Sequence, residues 1–338
     1  MVTLSDIALK TGLNVSTVSR ALRGSSEISK DTCRLAKKVA KELGYQYRRA
    51  SGGRNSIIGV ILPELSSHYY SELAHLLFNE IHKQGYGMQI ALSGFSTKGI
   101  DEVYEQFIEE DVCGILICGI GIGETDAEHL DRWLSGRLLK SEVPVVLLGD
   151  IDVDFAEPID MIYVDVYGCM QLAVEHLMSL GHTQIGYVGE YLSDMRYKVL
   201  CKIMRQKGLA IRPEFMKQGE ERFELGGYLR IRELLDEKEL PTAIIACYDQ
   251  VAIGAMKALN EAGLKIPEDI SIIGFDNIVS DEYLPVKLTS ITNPAGQISV
   301  VALKLLLDNI NHKEEHVIQN VALMAKLVMR NSTAIPNR

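Results

Sequence analysis

From residue 57 onward, short continuous apolar runs alternate with longer segments in which apolar residues recur every three or four positions. SIIGVILP, GMQIALS, GILICG and VPVVLLG are runs of the first kind, joined further on by MIYVD, IGYVGE, AIIACY and SIIGFD. SELAHLLFNEIHKQG and GCMQLAVEHLMSLG are segments of the second kind. A continuous apolar run fits a strand buried on both faces, and a helix between two such strands is the connection a parallel sheet needs. The pattern predicts an α/β core. Eight strands over about 220 residues suit two doubly wound parallel-sheet subdomains better than one sheet, with ligands expected beyond the carboxyl ends of the strands.

The first 44 residues follow a different rhythm. Thr3-Leu4-Ser5-Asp6 has the form of a capping box, and Gly12 follows the end of the helix it starts. Asn14 can cap a second helix with Val15, Val18 and Leu22 facing inward. Ser29 caps a third, whose stripe is Thr32, Leu35, Ala36, Val39, Ala40 and Leu43, and Gly44 stops it. Three short helices around one small core, with a tight glycine turn between the first two, make a helix-turn-helix unit. The basic, glycine-rich YRRASGGRNS of residues 47–56 then reads as a linker.

Charge separates the same two regions. The whole chain carries −10, yet residues 1–54 hold 11 Lys and Arg against 4 Asp and Glu, so a head of +7 precedes a body of −17. That asymmetry is expected of a DNA-binding module joined to something else. The remaining composition excludes more than it adds. No apolar run approaches the roughly 18–20 residues of a membrane helix. The N-terminus lacks a basic segment followed by an apolar one, and the six cysteines form no CxxC pair, so a reduced, cytoplasmic protein is expected. GIGIG at 119–123 matches no nucleotide-binding loop, and His68, His75 and His82 are spaced too widely for one metal. No cofactor, metal or catalytic constellation is predicted.

The segment NVSTVSRAL, residues 14–22, is polar and poor in strong helix formers where a reading helix would lie. Base contacts come from the N-terminal residues of such a helix. Asn14, Val15, Ser16 and Arg20 are the candidates: an apolar group meets a thymine methyl, a hydroxyl serves several bases, and a planar guanidinium grips guanine. Thr3, Thr17 and Ser19 suit phosphates, which orient the module without reading sequence.

TLSDIALKTGLNVSTVSRALRG, with ISKDT…AKELGY after it, closely resembles the head of the lactose/galactose-repressor family of bacterial transcription regulators. GVILPELSSHYYSEL, LAVEHLMSLGHTQIGYVG, PTAIIACYDQVAIGAMKALNEAGLKIPEDISIIGFDN and YLPVKLTSI extend the resemblance over nearly the whole chain. It implies a periplasmic-binding-protein-like core crossed three times by the chain, near 163–166, 289–294 and 322–328. The expected organisation is a head over 1–48, a linker over 49–56, a first subdomain of 57–164 with 291–323, and a second of 165–290 with 324–338. It also implies a homodimer on a near-palindromic double-stranded operator, and a small sugar-like effector, a mono- or disaccharide or sugar phosphate, controlling a sugar-catabolism operon. Arg23, Tyr45, Arg48, Arg49 and Arg54 join the DNA-contacting set, and Tyr69, Tyr70, Asp150, Arg196, Phe223, Asp249 and Asp276 are the effector-contacting candidates.

The chain departs from the family in instructive places. Residues 45–54 lack the proline and leucine of the usual hinge helix and contain Gly52-Gly53, so an extended arginine arm rather than an intercalating wedge is expected. Tyr248 stands where many members have asparagine, Gly149 precedes Asp150 where aspartate is common, and Val199-Leu200 replace a glycine-aromatic pair. Two rival readings remain at this point. One is a sugar-binding module or sugar-processing enzyme whose head no longer binds DNA. The other is a global carbon-catabolite regulator with a phosphoprotein co-repressor, for which AGQISVVALKLLLDNI offers only Lys304 as a cation.

Overall fold

The computed structural model describes residues 2–22, 28–43, 57–119, 136, 143–149, 158–312 and 315–337. It divides into two compact units, residues 1–56 and 57–338.

In the head, α1 (Leu4–Thr11), α2 (Val15–Leu22) and α3 (Lys30–Glu42) enclose a core of Ile7, Ala8, Val18, Ala21, Leu22, Ala36, Val39 and Ala40. Both the backbone N–H and the hydroxyl of Thr3 donate to the Asp6 carboxylate at 2.7 Å, which holds that carboxyl below its usual range. Gly12 ends α1 in the left-handed region, at φ 71°. The Thr32 N–H donates to the Ser29 hydroxyl, capping α3. Two residues assigned to the inward faces lie outside: Val15 is 44% and Leu35 45% exposed. Ala21 fills the place given to Val15, because a 3.6-residue period runs the buried face of α2 through 18, 21 and 22.

The larger unit holds two six-stranded sheets. The first contains β1 (Ile57–Leu62), β2 (Gly87–Leu92), β3 (Gly114–Cys118), β4 (Val145–Leu148), β5 (Met161–Val164) and β11 (Asn320–Leu323), in the order β11-β5-β4-β3-β1-β2 and parallel throughout. Helices α4 (His68–Lys83) and α10 (Ala295–Asn311) cover one face, packing Leu73, Leu77, Ile81, Ala302 and Leu306 on Ile58, Val60 and Leu62. Helix α5 (Thr97–Glu109) contributes Ile100, Tyr104 and Phe107 to the other, against Ile61, Ile115 and Ile117. Residue 59 must be glycine here, since a Cβ would fall 2.4 Å from the Phe107 ring.

The second sheet contains β6 (Ile185–Glu190), β7 (Met216–Gly219), β8 (Ala243–Ala246), β9 (Ser271–Asp276), β10 (Thr289–Thr292) and β12 (Leu327–Val328), in the order β12-β10-β9-β8-β6-β7. Only β12 runs antiparallel. Helices α6 (Val166–Ser179), α7 (Asp194–Gln206), α8 (Phe223–Leu235) and α9 (Asp249–Glu261) pack onto it around one large core. The chain passes between the lobes after β5, after β10 and after β11, and β10 keeps Ile291 and Thr292 in the second sheet, beyond the boundary set at 291.

Four of these strands carry no apolar-run signal. β7 is MKQG, β11 is NVAL, β12 has two residues, and β10 is TSIT. β10 nevertheless lies deep in its sheet, because its hydroxyls are satisfied inside the protein: the Ser290 hydroxyl donates to Asp249 at 2.7 Å, and the Arg330 N–H donates to the Thr289 hydroxyl at 2.9 Å.

Candidate functional site: a DNA-reading helix and an inter-lobe cleft

On α2, burial of Val18, Ala21 and Leu22 turns Asn14, Val15, Ser16 and Arg20 to solvent, with Thr17 and Ser19 half-buried at the edge of that face. The Asn14 carbonyl accepts from the Val18 N–H at 2.9 Å, so the segment enters the helix without a break. The Arg20 Nε reaches the Ser16 carbonyl at 3.4 Å, which lays the guanidinium along the exposed face one turn from the helix start. Thr3 is exposed but bonded to Asp6. Arg23, Tyr45, Arg48, Arg49 and Arg54 lie outside the described residues.

The second candidate site lies where the carboxyl ends of the two sheets face each other. Arg196, on the first turn of α7, donates from Nη1 to the Cys247 carbonyl and stands 3.9 Å from the Asp276 carboxylate. Its guanidinium lies 5.0 Å from the ring centres of both Tyr248 and Phe275. Asp276 ends β9 with φ 100°, a strained value for aspartate, and accepts from Asn293 Nδ2 at 3.2 Å. Burial raises the Asp276 pKa, opposed by Arg196, by Asn293 and by His68 of the first lobe. Arg196, Phe275, Asp276 and Asn293 border a cavity of about 10 Å³, the space of a single water, lined also by Val164, Val166, Cys169 and Thr292.

A second cluster ties the lobes together. Arg222, just ahead of α8, donates from Nη1 to Glu64 of the first lobe at 2.6 Å and from Nε to Glu190 at 3.0 Å. Its guanidinium sits 4.3 Å from the Phe223 ring centre and 5.1 Å from that of Phe95, one aromatic from each lobe. Burial works against the Arg222 charge, but Glu64 and Glu190 more than offset it and raise its pKa. Burial likewise lifts Glu190, which is 1% exposed, against the pull of Arg222. The His68 N–H adds a third bridge, donating to Gln250 Oε1 at 3.2 Å. Glu64 also borders an open depression of about 760 Å³ on the first lobe, along the ends of β1 and β2.

The cleft thus gathers Arg196, Asp276 and Phe223 from the predicted set, while others go elsewhere. Tyr70 is 8% exposed and packs in the first lobe's core, edge-on to Phe95 at 6.3 Å; Tyr69 is half-buried against it at 5.0 Å. Asp150 lies outside the described residues. Asp249 must be withdrawn from the effector set. It is fully buried, accepting from the Ser290 hydroxyl and from the Ile278 N–H at 3.0 Å, and a Cβ on Gly274 would meet its Oδ1 at 2.0 Å. Burial beside Asp281 raises its pKa strongly, and Asp281, itself fully buried, is pushed up to about 6. Asp249 is a strut that pins the 277–281 segment to β10. Arg222, Glu64, Glu190, Asn293 and Phe95 are functional candidates that only the structure reveals. Phe223 beside Arg222 was the nearest signal, but a cross-lobe ion pair joins residues 158 positions apart and leaves no local trace.

Among the described residues no group of His, Cys, Asp and Glu could hold a metal, and no helix is long and apolar enough to cross a membrane. Residues 3–47 match the family described as bacterial regulatory proteins, lacI family, and residues 174–333 match a periplasmic binding protein-like domain. The HTH-type transcriptional repressor PurR of Pasteurella multocida (strain Pm70) is 29% identical over 341 residues, spanning 98% of both chains. Among solved structures, the lac repressor dimer bound to operator and the anti-inducer ONPF superposes with a TM-score of 0.73 at 25% identity, covering 98% of this chain and 99% of that one. A LacI family regulator from Enterococcus faecium with bound ribose gives 0.68 at 27%, over 82% and 99%. A lacI-family head and a periplasmic binding protein-like core are thus matched in one chain that is similar, over 98% of its length, to DNA-binding transcriptional repressors.

Proposed function

We propose that the protein is a repressor that binds a near-palindromic operator as a homodimer, and that a small sugar-like effector in the inter-lobe cleft sets its hold on a sugar-catabolism operon. The observation that carries the reading is the solvent-facing row Asn14, Val15, Ser16 and Arg20 on a helix whose opposite face is the head's core. Such a helix can enter a major groove without losing any packing. The operator-bound lac repressor dimer and the ribose-bound regulator supply the precedents for DNA, dimer and sugar.

The cleft supplies the means of control. Its polar groups come from both lobes: Glu64 and His68 from the first, Glu190, Arg222 and Asp276 from the second. A ligand held by both prefers one lobe arrangement to the other, and that differential affinity is all the coupling there is. About 1–3 kcal/mol per effector, passed to two heads on two half-sites, makes a useful switch.

The test is selection of bound duplexes from a random pool at several salt concentrations, repeated with a panel of mono- and disaccharides. Enrichment of a two-fold symmetric site whose occupancy one sugar changes is expected. Binding with a steep salt slope and no preferred sequence would leave only the phosphate contribution and would overturn the reading.

A further inference from the structure

We infer that the effector is an unphosphorylated molecule rich in O–H or N–H donors, held chiefly by carboxylate and amide oxygens of the cleft; the inference rests on the cleft being the effector site. Both arginines of the cleft are already paired within the protein. Arg196 gives Nη1 to the Cys247 carbonyl and its charge to Asp276, and Arg222 gives Nη1 and Nε to Glu64 and Glu190. Each guanidinium also lies between two aromatic rings, which fixes its plane.

The acceptors are in the opposite condition. Glu64 Oε1, Glu190 Oε1 and Asn293 Oδ1 are buried, and none accepts a hydrogen bond. Glu190 is 1% exposed; its other oxygen is bound to Arg222, and the Tyr248 hydroxyl stands beside the carboxyl. A buried acceptor without a donor is costly, and a ligand that brings donors to three of them recovers that cost on binding. Sugar hydroxyls have this chemistry, and so do the amino and ring N–H groups of a nucleobase.

Charge points the same way. Glu64, Glu190 and Asp276 face two arginines, so carboxyl groups outnumber guanidinium groups in the cleft. The start of α8, which could otherwise welcome phosphate, already carries Glu224 in its first turn. A phosphate would add about two negative charges to this site and find its arginines engaged.

The experiment is titration calorimetry on the full-length protein with matched pairs: ribose and ribose 5-phosphate, glucose and glucose 6-phosphate, adenosine and adenosine monophosphate. The expected result is that a neutral member binds and its phosphorylated partner binds roughly tenfold or more weakly, the pair that responds telling sugar from nucleoside. Glu190→Gln and Asn293→Leu should each weaken the neutral ligand by about tenfold, and Glu190→Gln should narrow the gap to its phosphate. A phosphorylated probe that binds as tightly as its neutral partner, or more tightly, overturns the inference. Silence from every probe, in a protein that still selects an operator, overturns the sugar-effector reading beneath it.

Discussion

The head and the cleft hold their candidate functional residues in opposite ways. On α2 those residues are the ones packing leaves out: Val15 is 44% exposed, and Asn14, Ser16 and Arg20 point to solvent with it. In the cleft they are packed almost as tightly as core, with side-chain exposures of 14% for Arg196, 11% for Asp276 and 1% for Glu190. A surface site can change its specificity without touching the fold beneath it. A buried polar site cannot, because each group there is also some other group's hydrogen-bond partner. Changes in the head should therefore alter binding alone, and changes around the cleft should alter binding and stability together.

The most severe test of that contrast is the strut behind the cleft. Asp249→Ala strands the Ile278 N–H, leaves the Ser290 hydroxyl only the Ile291 carbonyl at 3.3 Å to donate to, and opens a hole beside Gly274. With about 1–3 kcal/mol for the stranded group and the hole besides, a loss near 3 kcal/mol in the core's urea unfolding is expected. Asp249→Asn keeps the shape and an acceptor, resembling the protonated acid that burial favours, and should cost far less. Asp276→Asn is the counterpart at the cleft itself: effector response lost, with most of the stability retained. If Asp249→Ala unfolds like the wild type but ignores every effector, the strut assignment is wrong and Asp249 returns to the cleft.

In the head the expected effect is smaller and of another kind. Arg20→Ala should weaken the selected operator by about 30-fold per half-site, near 2 kcal/mol, with an unchanged unfolding midpoint. The loss should concentrate at one base-pair position. A uniform loss over all duplexes, with a shallower salt slope, would make Arg20 a phosphate contact instead.

This contrast also explains what the sequence could and could not disclose. Periodicity reports which residues leave the core, so the α2 surface was legible once 18, 21 and 22 were seen as its buried face. Alternating apolar runs likewise exposed eight of the strands. TSIT escaped because its burial is stabilised by Asp249, Ser332 and other groups remote in sequence. Asp249 and Asp276 follow similar apolar strands, AIIACY and SIIGF, and nothing local distinguishes them. Asp249 opens α9 and folds back under β10, whereas Asp276 turns at φ 100° toward the other lobe. The Arg222 clamp needs Glu64 and Phe95 from another lobe, so its function exists only in three dimensions.

The carboxyl pair behind the cleft gives a pH test of intermediate size. Asp281 is raised to about 6 from an ordinary 3.8 by burial, so the folded state holds a proton that the unfolded chain releases. That contribution is complete below about pH 4 and is lost as the pH rises through 6, after which stability is flat in this group. Asp281→Asn should remove the slope and leave the variant about 1–2 kcal/mol better placed at pH 7 relative to pH 4 than the wild type. The head carries no comparable buried acid among its described residues, so the operator-binding module should show no such difference. Equal slopes in the two proteins would mean that Asp281 is solvated in the folded state.

Ser29→Ala is the smallest and the most discriminating of these changes. Ser29 immediately precedes α3, and its hydroxyl accepts from the Thr32 N–H at 3.2 Å. Removing that cap should cost the head about 1 kcal/mol. Where the head remains folded, the set of preferred operator bases should be unchanged and the core's unfolding midpoint should not move. Measured beside Arg20→Ala, it separates the two ways a head can fail. One variant binds the same sequence with less of the population folded, and the other is fully folded but has lost a base. If Ser29→Ala instead altered base preference, α3 would be contributing to the reading surface, and the head would share the cleft's entanglement of structure with recognition.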